Sequence, residues 1–102
     1  MTLVDPRRVE PRRVEPLFPI RLIALDIDGT LVGDDLVLRP RTVDAVREAS
    51  RRGVAISLVT GRMVSSAMRF AIELGLTGPI VGYQGAIIRA MPEVPGRVGK
   101  LL

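Results

Sequence analysis

The sequence predicts an α/β domain built on a Rossmann-like parallel sheet. Three short apolar runs predict strands, and two segments with helical periodicity separate them. Strands that alternate with helices in this way pair in parallel through right-handed crossovers. The chain has 102 residues, 47% of them apolar, which is enough for one small domain with a hydrophobic core.

The first predicted strand is the apolar run from Arg21 to Leu25, which ends abruptly at Asp26. An apolar run without alternation is typical of a strand that is buried on both faces of a parallel sheet. A carboxylate at its end is costly unless it meets a cation or a hydrogen-bond donor. Two apolar pairs then flank residues 33–35, and this pattern predicts a small β-hairpin flap over residues 29–38.

Two helices and two further strands follow the predicted flap. Pro40 is expected to open the first helix, whose inward face carries Val43, Val46 and Ala49, and Gly53 lies just past its end.

The second strand spans residues 54–59 and the third spans residues 79–82, with a helix between them that Gly75 ends. The inward face of that helix is predicted from apolar residues at helical spacing: Val64, Ala67, Met68, Ala71 and Ile72.

The ordered domain is expected to span residues 21–90. Residues 1–20 contain the segment Pro-Arg-Arg-Val-Glu twice, and prolines at that spacing favour an extended, flexible tail. No signal-peptide pattern and no apolar stretch of about 20 residues is present, so we expect a cytoplasmic protein that does not cross a membrane.

The charge pattern argues against nucleic-acid binding. The formal net charge of +4 lies on the two ends of the chain, because residues 22–88 carry seven arginines and seven acidic residues. The central segment therefore has no basic face for a phosphate backbone, and 3% aromatic residues provide no stacking platform.

Cysteine and histidine are both absent from the sequence. Their absence excludes disulfide bonds, thiolate or histidine metal sites and a Ser-His-Asp triad. Any chemistry must therefore use carboxylates, hydroxyls, main-chain amides and arginine.

Polar residues follow the first two predicted strands, where the carboxyl ends of parallel strands form ligand sites. Asp26 could coordinate Mg²⁺ and attack phosphorus to give an aspartyl-phosphate, and Asp28 could act as general acid and then as base. The hydroxyl of Thr60 and the N–H of Gly61, at a predicted helix N-terminus, could bind the phosphate. The same residues are also compatible with ordinary turn and capping roles.

These segments carry a family resemblance. Residues 26–31 (Asp-Ile-Asp-Gly-Thr-Leu) resemble the first motif of the haloacid dehalogenase-like superfamily, in its phosphatase branch, and residues 59–62 (Val-Thr-Gly-Arg) resemble the second. Residues 84–86 (Gln-Gly-Ala) are similar to the Asn-Gly-Ala of Cof-type members, with Gln in place of Asn. The resemblance covers about residues 21–90.

The resemblance implies a Mg²⁺-dependent phosphatase that acts on small phosphorylated metabolites through an aspartyl-phosphate. Asp26 would be the nucleophile and a metal ligand, and Asp28 would be the general acid and base, with its carbonyl oxygen on the metal. Thr60 and the Gly61 amide would bind the phosphoryl group. Arg62 would contact the substrate or form a structural salt bridge.

The resemblance also implies two parts without a counterpart here: a catalytic lysine and a second acidic motif. The only lysine is Lys100, within residues 91–102, which we expect to be a tail or the start of a linker to a missing cap. We therefore expect a partial core that is inactive in isolation: a truncated product, a fragment, or one piece of an assembly. Its partner would be the remainder of the domain, or a second copy at the exposed sheet edge.

Two other functions remain open at this point. The chain could be a non-catalytic phosphate-binding or interaction module that keeps the scaffold without turnover. Alternatively, the Pro-Arg-Arg-Val-Glu repeats could bind acidic partners, with an affinity that falls as salt screens the charges.

Overall fold

The computed structural model describes residues 18–93, 97 and 99–102. Nearly all of the predicted tail over residues 1–20 lies outside this part of the chain. The described elements are β1 (Leu22–Leu25), α1 (Pro40–Arg51), β2 (Ala55–Val59), α2 (Val64–Glu73), β3 (Ile80–Gly82) and β4 (Ile87–Arg89).

The four strands form one sheet in the order β1-β2-β3-β4. β1 pairs with β2, and β2 with β3, in parallel, which confirms the predicted α/β class with a parallel sheet. β4 was not predicted from the sequence, and it pairs antiparallel with β3. Its three residues follow a turn over residues 83–86 that returns the chain beside β3, and so short a strand has no recognisable alternation.

The core lies between the sheet and the two helices. Right-handed crossovers that step in one direction across a sheet place both helices on the same face. In agreement with this, Nη2 of Arg47 in α1 donates to the main-chain oxygen of Glu73 in α2 at 2.8 Å. The largest fully buried side chains come from the strands, the helices and their flanking turns: Phe70, Ile27, Leu58, Leu74 and Ile80.

The expectation that β1 is buried on both faces is wrong. Ile23 and Leu25 are half-buried against the core, whereas Leu22 and Ala24 on the other face are exposed. β1 is an edge strand of the described sheet, and the two helices cover only one of its faces. Among the described strands, consecutive buried residues occur in the middle of β2, which lies between β1 and β3.

The predicted β-hairpin between β1 and α1 does not form. The main-chain oxygen of Ile27 instead accepts the N–H groups of Thr30, Leu31 and Val32 at 3.0 to 3.2 Å, which winds the chain into a tight turn. The apolar residues of this segment that suggested strands are core residues, since Leu31, Val32 and Leu38 are buried. Their pattern reflects burial against the core and not strand pairing.

The first helix begins where the sequence predicts, but the inward face of α2 is rotated. Pro40 is the first residue of α1, and Val46 is buried as expected. In α2, however, Ile72 is 64% exposed and Phe70 is 1% exposed. The buried arc is centred on Ala67, so that Phe70 lies within it and Ile72 lies beyond it.

Within the described residues neither helix could span a membrane. α1 has 12 residues and α2 has 10, shorter than the roughly 20 that a bilayer requires.

Candidate active site

The carboxyl ends of β1 and β2 and the turn after β3 line a cleft of about 560 Å³. Because the ends of parallel strands meet at one edge of a sheet, the residues predicted from the two strand ends converge there. The cleft contains all of them: Asp26, Asp28, Thr60, Gly61 and Arg62. Val59, Gln84 and Gly85 complete its lining.

The carboxylate of Asp26 is exposed at the end of β1. One of its oxygens accepts the N–H of the next residue, Ile27, at 2.8 Å. No arginine or lysine in the described part of the chain forms an ion pair with it. The carboxylate therefore does not pay the burial cost expected for a strand end, because the edge position of β1 leaves it in contact with solvent.

Asp28 is held by Arg62. Nε of Arg62 donates to Oδ2 of Asp28 and Nη2 donates to Oδ1, both at 2.7 Å. This bidentate pair lowers the pKa of the Asp28 carboxyl below its ordinary value. Nη1 of Arg62 also donates to Oγ of Ser66 at 3.0 Å, and the guanidinium lies over the ring of Phe70, 5.4 Å from its centroid. The arginine is thus fixed on three sides.

Thr60 is buried at the end of β2 and organises the loop that leads to α2. Its N–H donates to the main-chain oxygen of Val81 at 2.9 Å, and its Oγ1 accepts the N–H of Arg62 at 3.1 Å. A hydroxyl that accepts one hydrogen bond still has a proton to donate. Thr60 can therefore hold the loop and donate to a bound anion at the same time.

The expectation that Gly61 stands at a helix N-terminus is wrong. α2 begins at Val64, and the extended conformation of Met63 (φ −60°, ψ 143°) delays the helix. The hydrogen bond from Arg62 to the Thr60 hydroxyl draws the chain into a local turn instead. The Gly61 amide therefore belongs to a loop between β2 and α2, and the field of the helix acts on it from three residues away.

A second turn packs against this loop. The N–H of Tyr83 donates to the oxygen of Arg62 at 3.0 Å, and the N–H of Gln84 donates to the oxygen of Thr60 at 3.2 Å. The side-chain amide of Gln84 lies over Gly61, because a Cβ atom at that position would be 2.5 Å from Nε2 of Gln84. The sequence signalled this residue only through its similarity to the Asn-Gly-Ala pattern and assigned it no role.

The oxygen ligands of the cleft match the chemistry of Mg²⁺, although they are few. The described residues contain no group of three acidic side chains that could enclose a metal ion. They offer the carboxylate of Asp26 and the carbonyl oxygen of Asp28, to which no main-chain N–H of the described segment donates. Mg²⁺ commonly binds to one or two carboxylates and completes its shell with water and phosphate oxygens.

A second groove, of about 630 Å³, runs along α2 and β4. Its walls are mostly apolar and include Met68, Ile87 and Met91. It contains none of the residues that follow β1 and β2. We therefore place the chemistry in the smaller, polar cleft.

Comparison with known proteins agrees with the fold. Residues 23–94 match the family model described as haloacid dehalogenase-like hydrolase. Over 69 residues the chain is 35% identical to the phosphoglycolate phosphatase of Thermoplasma acidophilum, covering 68% of this chain and 31% of that protein. It is 36% identical over 67 residues to the 5-amino-6-(5-phospho-D-ribitylamino)uracil phosphatase YitU of Bacillus subtilis, covering 66% and 25% respectively.

Solved structures give the same result. A haloacid dehalogenase-like hydrolase from Bacteroides thetaiotaomicron superposes with a TM-score of 0.67 at 28% identity, over 71% of this chain and 28% of that one. A haloacid dehalogenase-like hydrolase from B. subtilis superposes with a TM-score of 0.66 at 31% identity, over 81% and 27%. The chain thus spans about a third or less of the length of the proteins that it matches.

Proposed function

The chain belongs to the haloacid dehalogenase-like hydrolases, and from this we propose that it carries the nucleophile and phosphoryl-binding part of a phosphatase for small phosphorylated metabolites. The observation that carries the proposal is the cleft itself. The carboxylate of Asp26 lines this cleft together with the Thr60–Gly61 turn. Within the described residues, no arginine or lysine forms an ion pair with that carboxylate. A nucleophile and an anion-binding turn in one cleft are what phosphoryl transfer to a carboxylate requires.

The proposed reaction has two steps. An oxygen of Asp26 attacks phosphorus, and the bond from phosphorus to the leaving oxygen breaks. Asp28 gives its proton to that oxygen, which departs as an alcohol. Asp28 then takes a proton from a water molecule whose oxygen attacks the phosphorus of the aspartyl-phosphate. The bond between phosphorus and Asp26 breaks, and inorganic phosphate and the free carboxylate result.

The ion pair with Arg62 suits one of these steps more than the other. It holds Asp28 as a carboxylate with a lowered pKa, which is the form that accepts a proton from water. The acid step needs a protonated Asp28, and so the carboxyl must leave Arg62 before the leaving oxygen can be protonated. A guanidinium released in this way is free to pair with the phosphoryl oxygens.

We propose that Mg²⁺ binds at the Asp26 carboxylate and the Asp28 carbonyl oxygen. When bound there, the ion neutralises negative charge on the carboxylate and the phosphate. The Thr60 hydroxyl donates a hydrogen bond to one phosphoryl oxygen, and the Gly61 N–H donates a hydrogen bond to another.

The charged groups that the described cleft does not contain favour a second candidate function. Lys100, the single lysine of the chain, does not line the cleft, and the described residues supply no third acidic ligand for a metal. Without these charges the described segment lacks much of the electrostatic stabilisation that phosphoryl transfer needs. The alternative is therefore a module that binds phosphate without turnover.

Beryllium fluoride with Mg²⁺ separates the two functions, because the trifluoride forms a stable adduct on a carboxylate that accepts phosphoryl groups. We expect the 102-residue chain to give a bound ¹⁹F NMR signal that Asp26→Asn abolishes. Asp34→Asn is the matched control, since Asp34 is exposed and does not line the cleft. A chain that binds inorganic phosphate but forms no adduct would support the non-catalytic module. A chain that does neither would contradict both functions.

A further inference from the structure

We propose that the side-chain amide of Gln84 is a ligand for the phosphoryl group, and that the turn after β3 is built to hold it over the Thr60–Gly61 loop. The proposal rests on the proposed function and adds a specificity-determining residue to the same site. Gln84 lines the cleft together with Asp26 and Thr60.

The backbone of this turn is unusual. Tyr83 (φ 50°) and Gln84 (φ 57°) are consecutive residues with side chains in the left-handed region, and Gly85 (φ 95°) follows. The Cβ atom disfavours this conformation, so two such residues in a row persist only where their surroundings enforce it. Here the enforcing contacts are the hydrogen bonds from Tyr83 and Gln84 to the main-chain oxygens of Arg62 and Thr60.

The strained turn aims the Gln84 side chain at the phosphate loop. Nε2 of Gln84 would lie 2.5 Å from a Cβ atom at position 61, and Cδ would lie 3.1 Å from it. Only glycine leaves room for this amide. The Gly61 N–H, a proposed phosphate donor, and the Gln84 amide therefore occupy the same small region of the cleft.

The donor groups of the Gln84 amide are available to a ligand. Within the described part of the chain, the Gln84 side chain makes no hydrogen bond, although its main-chain N–H does. The two N–H groups of an amide can donate to the oxygen atoms of an anion. Gln84 is exposed where it lines the cleft, so these N–H groups can donate to a ligand that enters it. A glycine at position 84 would tolerate the left-handed backbone, so Gln84→Gly removes the amide and leaves that backbone conformation accessible.

The test compares ligand binding with folding stability in the full 102-residue chain. Inorganic phosphate is titrated in the presence of Mg²⁺, and the Gly61 amide resonance reports binding. We expect Gln84→Gly to weaken phosphate binding about tenfold, as for the loss of a hydrogen bond to a charged group. Because the substitution relieves backbone strain, the Tm should stay the same or rise. If Gln84 only stabilised the fold, Gln84→Gly would lower the Tm and would not weaken phosphate binding while the Tm stays the same or rises.

Two further variants complete the test. Leu36→Gly is the matched control, because Leu36 also has a positive φ (56°) but does not line the cleft, so its phosphate affinity should not change. Gln84→Met keeps the approximate length of the side chain and removes the amide donors without adding a charge. It should bind phosphate about tenfold more weakly, and it decides the question if Gln84→Gly does not fold.

Equal phosphate affinity in the parent chain, Gln84→Gly and Gln84→Met would overturn this inference and leave the proposed phosphatase site intact. A parent chain that binds no phosphate at the Gly61 amide would overturn the phosphate site, and the role of Gln84 with it.

Discussion

Arg62 and Asp28 form a bidentate ion pair that joins the loop after β2 to the loop after β1, with both N···O distances at 2.7 Å. The pair uses two hydrogen bonds of a planar guanidinium, which a lysine could not reproduce. Of the two roles that the sequence allowed for Arg62, this structure contains the salt bridge. Its partner, Asp28, is the proposed general acid and base, so the pair connects Arg62 to the proposed reaction.

Substitution of Arg62 should change the titration of Asp28. Because the side-chain hydrogen bonds from Arg62 are the main cause of the lowered pKa, Arg62→Gln should raise the pKa of Asp28 toward its ordinary value of 3.8. The measurement is an NMR titration of the Asp28 carboxyl carbon in both chains. An unchanged Asp28 pKa in the variant would show that the pair does not form in solution.

The same pair predicts how stability depends on pH. The pKa of Asp28 is lower in the folded chain than its ordinary value of 3.8, so the pair stabilises the fold above that pH. Its contribution is lost as the pH falls through the lower, folded-state pKa. The free energy of unfolding of the parent chain should therefore exceed that of Arg62→Gln at neutral pH, and the difference should narrow in acid. A difference that does not vary with pH would contradict the pair's electrostatic origin.

Two glycine substitutions should have opposite effects on stability and binding. A Cβ atom at Gly61 meets the mobile end of the Gln84 side chain, whereas a Cβ atom at Gly78 would lie 2.6 Å from the main-chain oxygen of Ile56. Gly78→Ala should thus destabilise the fold by about 1–3 kcal/mol, as overpacking does. Gly61→Ala should change stability by less than about 1 kcal/mol but weaken phosphate binding, because it displaces the amide.

Urea unfolding and phosphate titration of both glycine variants provide the comparison. If Gly61→Ala destabilises as much as Gly78→Ala while it binds phosphate normally, the assigned packing of Gln84 over Gly61 is incorrect.

The rotated face of α2 gives a prediction about the core. Phe70→Ala removes a side chain that is 1% exposed and should cost about 3–5 kcal/mol, enough to unfold much of so small a domain. Ile72→Ala changes a side chain that is 64% exposed and should stay within about 0.5 kcal/mol. Urea denaturation measures both. If Ile72→Ala lowered the free energy of unfolding more than Phe70→Ala, the inward face of α2 would be the one predicted from the sequence.

The features that the sequence predicted correctly depend on local patterns. The helix start at Pro40, the apolar run of β2 and the polar strand ends at Asp26 and Thr60 each follow from a few neighbouring residues. The two strand ends share one cleft because β1 and β2 are parallel. The alternation of strands and helices in the sequence already implied this parallel arrangement.

The features that the sequence did not predict depend on contacts between distant segments. In the sequence, the apolar residues Leu31 and Leu38 look like parts of β-strands. The structure shows that they are apolar because they are buried in the core. The position of the Gln84 amide depends on hydrogen bonds to Arg62 and Thr60, more than 20 residues earlier in the chain. No local sequence pattern predicts that Tyr83 and Gln84 both adopt a left-handed backbone. The conformational cost of that backbone is offset by hydrogen bonds to the distant loop after β2.

The central claim is that Asp26 is a phosphoryl acceptor, and the most direct measurement is the mass of the chain after incubation with p-nitrophenyl phosphate and Mg²⁺, quenched in acid. Because the described residues place neither the lysine nor a third acidic ligand at the cleft, we expect only a small fraction of the chain to be phosphorylated, with the group on the peptide that contains Asp26. Asp26→Asn should retain none, and Asp34→Asn should behave as the parent chain. Retention at another residue, or none in a folded chain that binds phosphate, would contradict the assignment of Asp26.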